Sequence, residues 1–408
     1  MRILQLSDSY PPAPGGLEQV VQRLANELAD RGHESAVATL AREGLPEVSD
    51  EGSVRVHRLR GWTHKLARFA ESDDHLLHPT APDPPLVRRL QELIDQWQPD
   101  IIHAHGWIVS SASALRLGPD TRLVTSLHDY GLVCAKKTLI HLDELDAQCA
   151  GPSLGRCVRC ASNFYGVAKG TALASGLREG RHRLSKVSQF LPITAAVGAA
   201  SAAAAEPERS TVVPPFVADD ILAERTRPRP PGLPEGDFIL FVGALSAHKG
   251  ADLLIQAHRE LASQVPLVLI GHGDPAPWRV LAGTADVRVL QHVPNEQIQG
   301  AMQAATLVVM PSRWAEPFGL VAIEAMAAGT ALVASKIGSL PEIVGDAGLV
   351  VEPKPAEMAA AIDSLLADPA RRELLGNAGK RRATWFTASA VVPRYLAAYE
   401  AAKRSGTT

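Results

Sequence analysis

The sequence has few aromatic residues, no strong charge of either sign and no long apolar run. Phe, Trp and Tyr make up 5% of the 408 residues, so a folded core must consist mostly of small aliphatic side chains. The formal net charge is −3, which gives the whole molecule no field that would attract nucleic acid or an anionic membrane. No apolar run reaches the roughly 20 residues that a membrane span needs. We therefore expect a soluble protein that has no nucleic-acid partner.

The N-terminal segment predicts a strand and not a signal peptide. Residues 1–7 contain one charge and a very short apolar run, and two prolines, Pro11 and Pro12, follow closely. The sequence therefore predicts a cytoplasmic protein.

The chain is long enough for two α/β domains, and its pattern divides in that way. A predicted strand at 3–6 is followed by a Pro/Gly loop, by apolar residues at helical spacing and by a second strand at 35–40. This β-α-β pattern recurs, stops at a proline-rich segment and then restarts, which indicates parallel sheets. The predicted fold class is α/β, with two Rossmann-like doubly wound domains that face a cleft. The predicted bounds are 1–225 for the N-terminal domain, 226–237 for a linker, 238–385 for the C-terminal domain and 386–408 for a helix that packs back on the N-terminal domain.

The segment 311–329 is the most informative part of the sequence. A loop that follows a predicted strand carries Glu316, and a helix begins near Gly319 with Glu324 on the same side. The N–H groups of residues 319–321 at this helix start could hold a phosphate, because the positive end of a helix favours anions. The two glutamates could accept hydrogen bonds from sugar hydroxyls, although taken alone they could equally form a solvated face and a cap.

Two further strand-to-helix turns carry residues that suit a phosphorylated ligand. Gly243 ends a predicted strand, and Lys249 lies in the following loop, where its ammonium group could neutralise a diphosphate. Gly15 and Gly16 lie at the first such turn, where glycine lets the backbone approach a ligand closely. Taken separately, Lys249 could be an ordinary surface lysine, and the two glycines could serve only the turn.

Together these segments resemble the family-four group of retaining glycosyltransferases, also described as glycosyl transferases group 1, which have the GT-B fold. The resemblance covers nearly the whole chain, and its most specific part is the block 316–329. The family implies transfer of a sugar from a nucleotide diphosphate sugar (UDP, GDP or another base) with retained anomeric configuration and usually without a metal. The matching motifs are Gly-Gly-Leu-Glu at 15–18, His128-Asp129, Lys249-Gly250, Gly271-His-Gly273, Glu-Pro-Phe-Gly-Leu-Val-Ala-Ile-Glu-Ala-Met-Ala at 316–327 and Gly-Ser-Leu-Pro-Glu-Ile-Val at 338–344.

The resemblance also implies roles for individual residues. Glu316 would hold the hydroxyls of the donor sugar, Glu324 would hold the ribose, and Lys249 would stabilise the departing diphosphate. His128 would lie near the transferred sugar and the acceptor, in an acceptor-side N-terminal domain. The catalytic candidates are therefore His128, Lys249 and Glu316. The donor-binding candidates are Gly15, Gly16, Gly243, Lys249, Gly273, Val293, Arg313, Glu316, Phe318, Gly319, Leu320, Val321 and Glu324.

One position departs from the family pattern. The family usually has arginine directly after the glycine that ends the strand at 238–243, and this chain has Ala244. Arg313, which precedes the helix at 319, could replace the missing cation. No Asp-x-Asp sequence occurs, so nothing indicates a diphosphate held by a metal ion. We expect that catalysis requires no cofactor and survives a chelator.

Four cysteines fall within a short insertion at about 130–165, which directly follows His128 and Asp129. They are Cys134, Cys149, Cys157 and Cys160. In a reducing compartment disulfides are disfavoured, and four thiolates could bind a structural Zn²⁺, with His141 as an alternative ligand. Only one Cys-x-x-Cys pair is present, so the other interpretation is four reduced cysteines, some of them buried as small apolar side chains.

The predicted function is that of a retaining, hexosyltransferase-type glycosyltransferase with an unidentified acceptor. One alternative is a nucleotide-sugar epimerase or hydrolase of the same fold, for which no base or activated-water pair is evident. The other is a nucleotide-sugar-binding protein that has lost catalysis, which only Ala244 supports. A basic run could rest on an anionic membrane if the acceptor is a lipid, or could form a solvated helix face. This run consists of Arg178, Arg181, Arg183 and Lys186.

Overall fold

The computed structural model describes residues 1–404 except 14, 67–77, 143, 146–148, 202, 204 and 205. The chain forms two compact units. The first unit comprises Met1–Leu142, Cys149–Phe216 and the C-terminal segment from Val391, and the second comprises Asp143–Gln148 and Val217–Ala390. Each unit has its own sheet, so the residues at the edge of one sheet are positioned independently of those at the edge of the other.

Seven strands form the sheet of the first unit. They are β1 Arg2–Ser7, β2 Glu34–Leu40, β3 Val48–Glu51, β4 Val54–Leu59, β5 Ile101–His105, β6 Arg122–Leu127 and β7 Val187–Pro192. Their order is β3-β4-β2-β1-β5-β6-β7, and all neighbours are parallel except β3, which is antiparallel to β4. The strand order therefore reverses between β1 and β5, and open α/β sheets bind ligands at the carboxyl ends of the strands at such a reversal.

Among the described residues of this unit, six helices lie between its strands, and a seventh follows the last strand. They are α1 Gly16–Asp30, α2 Trp62–Leu66, α3 Pro84–Trp97, α4 Val109–Ala112, α5 Leu154–Tyr165, α6 Val167–Gly180 and α7 Ala195–Ala200. Helix α1 forms because apolar residues recur every three or four positions and so make one buried stripe. That stripe consists of Val20, Val21, Leu24, Ala25 and Leu28.

The second unit has six strands, all parallel to their neighbours. They are β8 Ile239–Val242, β9 Leu267–Ile270, β10 Val287–Leu290, β11 Leu307–Met310, β12 Ala331–Ser335 and β13 Leu349–Val351. Their order is β10-β9-β8-β11-β12-β13, which reverses between β8 and β11. All four residues of β9 and all four of β11 are buried. Such continuous apolar runs are typical of parallel strands that are covered on both faces.

The described residues of the second unit form seven α-helices, and one more α-helix begins there. They are α8 Ala251–Arg259, α9 Ala276–Ala282, α10 Asn295–Ala304, α11 Leu320–Ala328, α12 Leu340–Val344, α13 Pro355–Leu366, α14 Pro369–Ala383 and α15 Ala388–Arg404. Helix α15 belongs to the first unit from Val391 onward. There Tyr395 and Tyr399 are fully buried, and Tyr399 Oη lies 2.8 Å from His103 Nδ1.

None of the described helices is long and apolar enough to cross a membrane. The predicted basic run occupies the end of α6 and the following 3₁₀ turn, Arg181–Lys186. Arg178 and Lys186 are exposed, whereas Arg183 is half-buried. Contact between this run and a membrane surface stays a prediction.

Candidate active site

An ion pair lies at the strand-order reversal of the second sheet. Lys249 ends the 3₁₀ turn that follows β8, and Glu316 lies in the loop between β11 and α11. Lys249 Nζ donates to both carboxylate oxygens of Glu316, at 3.0 Å to Oε1 and 2.8 Å to Oε2. The side chain of Glu316 is 9% exposed and that of Lys249 is 26% exposed, so water screens the pair only weakly. Two residues distant in the sequence are therefore held as one charged unit.

Other side chains fix the Glu316 carboxylate. Ser312 Oγ donates to Oε2 at 3.2 Å, and Trp314 Nε1 donates to the same oxygen at 2.9 Å. The Lys249 ammonium also lies 5.0 Å from the centroid of the Trp314 ring, within the range of a cation–π interaction. Ser339 holds the backbone carbonyl of Glu316 through its N–H at 2.9 Å and its hydroxyl at 2.8 Å. The carboxylate is therefore preorganised by neighbours on several sides.

Helix α11 begins directly beside this pair. Gly319 precedes the first helical residue, Leu320, with φ 94° and ψ 61°, a left-handed conformation that favours glycine. A Cβ at this position would lie 2.8 Å from Leu340 Cδ2 and 3.9 Å from Glu316 Cγ. In any α-helix the first N–H groups, here those of Leu320 and Val321, have no partner within the helix. The structure thus brings the predicted anion-binding backbone close to Glu316.

The glycines after β8 and β9 permit close contact between two loops. A Cβ on Gly271 would overlap the carbonyl of Gly243, and one on Gly273 would lie 3.1 Å from the carbonyl oxygen of Leu245. Gly273 itself has φ 120°. Any side chain at 271 would therefore push the loop that leads to Lys249 away from β9.

The predicted substitute cation has a partner already. Arg313 Nη1 donates to Asp252 Oδ2 at 2.6 Å, and each side chain is 20% exposed. Asp252 lies in the first turn of α8. Ala244, where the family usually has arginine, is half-buried. The role of Arg313 at a diphosphate stays a prediction, because Asp252 shares its charge.

Three other predicted donor-binding residues lie around α10 and α11. Phe318 is 4% exposed and packs edge-on against Phe386, with ring centroids 5.8 Å apart, so it anchors the loop that carries Glu316. Glu324 is half-buried on α11, and Val293 is half-buried in the loop between β10 and α10. Their contacts with a ribose or a base stay predictions.

Asp8 marks the strand-order reversal of the first sheet. It follows β1, is buried, and accepts the backbone N–H groups of Trp107 at 2.9 Å and Ile108 at 2.6 Å. Gly106 has φ 87°, and a Cβ there would lie only 2.7 Å from Asp8 Oδ2. Burial raises the pKa of the Asp8 carboxyl above its usual value. Asp8 therefore fixes the loop after β5.

The predicted glycine pair lies at the start of α1. Gly15 precedes the helix, Gly16 is its first residue, and both are exposed. A Cβ on Gly15 would overlap the Glu18 carboxylate. Glycine at 15 therefore lets Glu18 fold back over the helix start.

His128 follows β6 and ends a series of hydrogen bonds. His128 Nε2 lies 2.8 Å from His105 Nδ1, and His105 Nε2 lies 2.7 Å from Gln5 Oε1. His105 and Gln5 are fully buried. As the Gln5 amide is placed, its oxygen faces His105 and can only accept, so His105 carries its proton on Nε2 and accepts at Nδ1. His128 then donates from Nε2, which leaves its Nδ1 as a hydrogen-bond acceptor.

These histidines are neutral at pH 7. Burial is the largest cause and lowers the pKa of His128 to about 4, whereas Asp129 raises it and Lys137 lowers it. Burial also lowers the pKa of His105 and that of His103 well below the usual value. A pKa of about 4 makes His128 a weak base, so it suits accepting a hydrogen bond more than storing a proton.

A cation from the insertion reaches the same sheet edge. Lys137 Nζ lies 3.7 Å from Asp129 Oδ2 and 4.4 Å from the centroid of the Trp107 ring. Burial alone would lower the pKa of Lys137. The nearby carboxylates of Asp129, Asp8 and Glu18 outweigh that effect, so the net result is a raised pKa. The edge of the first sheet therefore holds a charged lysine among carboxylates, next to neutral histidines.

The four cysteines line one cavity of about 30 Å³, which His141 also lines. All four are free thiols, and Cys160 is the buried one. As the side chains are placed, the described part of the chain contains no group of three or more His, Cys, Asp or Glu residues that could hold a metal ion. The zinc site therefore stays a prediction.

Four residues at these two sheet edges were not predicted from the sequence: Asp8, His105, Lys137 and Trp314. Asp8 directly follows the first strand and His105 ends a buried strand, so their places at sheet edges were a usable signal. The place of Lys137 depends on an irregular loop in which it adopts φ 62°. No pattern in the sequence signals that conformation.

Two doubly wound units with polar residues at each strand-order reversal define a two-domain α/β protein with a candidate ligand site in each unit. Residues 14–221 match the family described as Glycosyltransferase Family 4, and residues 224–382 match Glycosyl transferases group 1. The glycogen synthase of Mycobacterium tuberculosis is 30% identical in an alignment that covers 98% of this chain and 95% of the relative. The D-inositol 3-phosphate glycosyltransferase of Acidothermus cellulolyticus is 31% identical, with 89% and 81% covered. The chain therefore belongs to the family-four glycosyltransferases, as the motifs predicted, and is a glycosyltransferase.

Solved structures agree with this assignment at the level of the fold. The sucrose-phosphate synthase of Thermosynechococcus elongatus superposes with a TM-score of 0.70 at 20% identity, covering 98% of each chain. HepE of Anabaena, in complex with UDP, gives a TM-score of 0.66 at 19% identity and covers 98% of this chain and 100% of its own. The predicted fold class, two doubly wound α/β domains of the GT-B type, is confirmed.

Proposed function

We propose that this glycosyltransferase moves a hexosyl group from a nucleoside diphosphate sugar to its acceptor with retention of configuration and without a metal cofactor. The Lys249–Glu316 ion pair beside Gly319 carries the proposal. A sugar diphosphate presents hydroxyls that need an acceptor and phosphates that need cations or N–H groups. The edge of the second sheet supplies all three from two neighbouring loops: the carboxylate of Glu316, the ammonium of Lys249 and the N–H groups at the start of α11.

The names of similar proteins narrow the class of donor to test first. Solved structures of HepE hold UDP, UDP with glucose, or UDP-glucose. Glycogen synthase and D-inositol 3-phosphate glycosyltransferase are glycosyl-transferring relatives in the same family. We propose a UDP- or GDP-hexose as the donor, with UDP-glucose as the first probe.

The second unit would act on the leaving group. When the bond between the anomeric carbon and phosphate breaks, negative charge builds on the diphosphate and positive charge on the sugar. Lys249 and the N–H groups at the start of α11 would stabilise the first charge. An ammonium group has three donors, so Lys249 can contact a phosphate oxygen and still keep Glu316 in place. Glu316 would meanwhile accept hydrogen bonds from sugar hydroxyls.

The first unit would act on the acceptor. His128 presents an unprotonated Nδ1, which can accept a hydrogen bond from an acceptor hydroxyl and so orient its oxygen. Because the pKa of His128 is about 4, the histidine would not keep the proton. We propose that the acceptor proton leaves with the departing phosphate oxygen as the new bond to the anomeric carbon forms.

Two other functions use the same fold and make different products. A hydrolase would release free sugar without any acceptor, and an epimerase would return an isomer of the donor. A binding protein without catalysis would hold the donor unchanged; Ala244 is the observation that favours this version, since one expected cation is missing.

The test has two stages. First, a panel of nucleoside diphosphate sugars is screened for a rise in Tm, because a ligand that binds only the native state stabilises it. Second, release of free nucleoside diphosphate is measured with and without candidate acceptors. We expect release that depends on the acceptor and persists in EDTA. Acceptor-independent release, or binding without release, would replace the proposal with one of the alternatives.

Retention has its own measurement. NMR of the product reports the anomeric configuration through the H1–H2 coupling, and the configuration is compared with that of the donor. We expect an α-linked donor to give an α-linked product. A β-linked product would remove retention from the proposal and leave the transfer itself intact.

A further inference from the structure

The insertion that carries the four cysteines has very little apolar core. In the described part of the chain, the buried cluster that this insertion forms with the neighbouring helix α6 consists of three alanines, Ala135, Ala161 and Ala174, with a few half-buried side chains around them, and Leu139 is buried as well. Helices α5 and α6 pack so closely that a Cβ on Gly170 would overlap the backbone of residues 161 and 162. Small folded segments with cores of this size commonly depend on disulfides or a metal ion for stability. The cysteines here form no disulfide.

The four sulfurs come from three pieces of chain that surround one cavity. Cys157 and Cys160 lie three residues apart on α5 and so project from the same side of that helix. Cys134 follows Tyr130, to whose carbonyl its N–H donates at 2.8 Å, and Cys149 donates its N–H to the carbonyl of Leu139 at 2.9 Å. The cavity that all four line measures about 30 Å³. A cavity of that size has room for one water-sized group, so it suits a single ion.

Polar groups around the cavity suit bound thiolates. The backbone N–H of Leu142 lies 3.3 Å from Cys160 Sγ. Burial raises the pKa of the Cys134 thiol, and the backbone N–H groups of Leu139, Thr138 and Lys136, which face its sulfur, offset part of that rise. Hydrogen bonds from N–H groups to sulfur stabilise the deprotonated form that binds metal ions. Two cations, Lys136 and Arg156, also line the cavity and can offset negative charge.

One buried polar atom at the cavity lacks a hydrogen bond. His141 Nδ1 is shielded from solvent and has no hydrogen-bond partner, although His141 lines the cavity. A buried polar atom without a partner is uncommon in folded proteins and indicates an ion or water that completes its surroundings.

We propose that this cavity binds one structural Zn²⁺ through the thiolates of Cys134, Cys149, Cys157 and Cys160. Zinc takes four ligands in a tetrahedron, with zinc–sulfur distances of about 2.3 Å. As placed, the sulfurs do not converge to that extent, so binding requires them to turn inward by a change of χ1 rotamer. The four thiol protons are released as the ion binds, and no oxidation or reduction takes place.

The ion would also fix a residue at the edge of the first sheet. The segment between Cys134 and Cys149 contains Lys137, whose ammonium lies 3.7 Å from Asp129 and close to His128. Zinc would therefore hold the loop that presents this lysine. The site itself does not depend on the proposed transfer reaction, because metal content is measured without any substrate.

The first test measures metal in the unmodified full-length chain. The protein is produced in medium with added zinc, purified with reductant and dialysed against metal-free buffer, and zinc is measured by plasma mass spectrometry. We expect about one zinc ion per chain, as a four-ligand site requires. An organomercurial titration with a zinc indicator should release that ion as the thiols react. Less than about a tenth of an ion per chain would overturn the proposal, since structural sites bind zinc tightly.

Variants then identify the ligands. Cys157→Ser with Cys160→Ser should lose the ion, and so should Cys134→Ser and Cys149→Ser. The control is Arg159→Ala, which changes an exposed residue of the same helix, α5, that does not line the cavity; it should keep the ion. If a serine variant fails to fold, the ligands are identified instead by substituting Co²⁺ for zinc in the unmodified chain. A strong sulfur-to-cobalt charge-transfer band of an all-thiolate site is expected, and its absence would overturn the thiolate ligand set.

Discussion

The residues at the two strand-order reversals differ in charge: those of the second sheet are ionised, and the histidines of the first sheet are neutral. At the edge of the second sheet, Lys249 and Glu316 form a preorganised ion pair beside the start of α11. At the edge of the first sheet, His128 and His105 are neutral and hydrogen-bonded in series to Gln5. The same strand order thus supports two kinds of chemistry, because the residues after each strand, and not the sheet, decide it.

The difference matches the division of work in the proposed reaction. A departing diphosphate needs full charges and N–H groups that are in place before the bond breaks. An acceptor hydroxyl needs only an oriented hydrogen-bond acceptor, and a neutral imidazole with a defined proton position supplies it. Breaking the ion pair should therefore affect turnover more than disturbing the histidine series.

The largest effect is expected at Glu316. Glu316→Gln removes the charge that holds Lys249 and keeps the shape of the side chain, so it should lower kcat by about 10²–10³-fold, as the loss of one preorganised group does in other enzymes. Turnover is measured as acceptor-dependent release of nucleoside diphosphate. The matched control is Glu357→Gln, an exposed glutamate in the first turn of α13. Equal turnover in both variants would remove Glu316 from the active site.

The second expected effect is a contribution of the Lys249–Glu316 ion pair to the free energy of unfolding. Lys249→Met leaves the buried Glu316 carboxylate without its cation and should lower the free energy of unfolding by about 1–3 kcal/mol. Adding Glu316→Gln to that variant should recover most of the loss, because no buried charge then remains unpaired. Urea denaturation of both single variants and the double variant measures the coupling.

The control for this cycle is Lys354→Met, an exposed lysine that precedes α13. It should change the free energy of unfolding by less than about 0.5 kcal/mol, the range of most surface substitutions. Additive losses in the double variant would mean that the pair is uncoupled.

More of the candidate site residues could be predicted from the sequence at the edge of the second sheet than at the edge of the first. Lys249, Glu316 and Gly319 lie in turns that directly follow buried strands, so the order of strand, loop and helix was enough to single out each of them as a donor-binding candidate. The ion pair itself was not predicted, because nothing in the spacing shows that a lysine after β8 reaches a glutamate after β11. That contact depends on the two strands being neighbours in the sheet.

The site at the edge of the first sheet is formed by hydrogen bonds between residues that are far apart in the sequence, so no local sequence pattern predicts it. His105 contacts both Gln5, from β1, and His128, which follows β6. Tyr399, nearly 300 residues further along the chain, bonds to His103 in the same network. A strand residue such as His105 looks like an ordinary core position until the register with β1 and β6 is known.

The histidine series should show itself in the pH dependence of stability. The pKa of His128 is about 4 in the folded protein, below the ordinary 6.5, so the unfolded chain binds more protons between these values. Stability should therefore rise as pH increases from 4 to 6.5, by about 1.4 kcal/mol for each unit of pKa shift. His128→Gln should flatten this rise. The control His182→Gln replaces an exposed histidine and should leave the slope unchanged.

The kinetics of His105 variants test which nitrogen of His128 carries the proton. His105→Leu cannot accept from His128, so His128 is free to carry its proton on Nδ1, and kcat should fall about 10-fold with little change in KM for the donor. His105→Gln can still accept through its amide oxygen and should recover part of the loss. Equal activity of the two variants would mean that His105 serves only packing.

The smallest effect is expected at Arg313, because its guanidinium already bonds to Asp252 at 2.6 Å. If Arg313 replaces the arginine that is missing at 244, Arg313→Ala should lower kcat/KM by a few-fold, roughly 1 kcal/mol at most for a shared charge. Ala244→Arg in that background should then restore activity, whereas Ala244→Gln, similar in reach but uncharged, should not. Unchanged turnover in Arg313→Ala would mean that Lys249 and the start of α11 stabilise the diphosphate without a second cation.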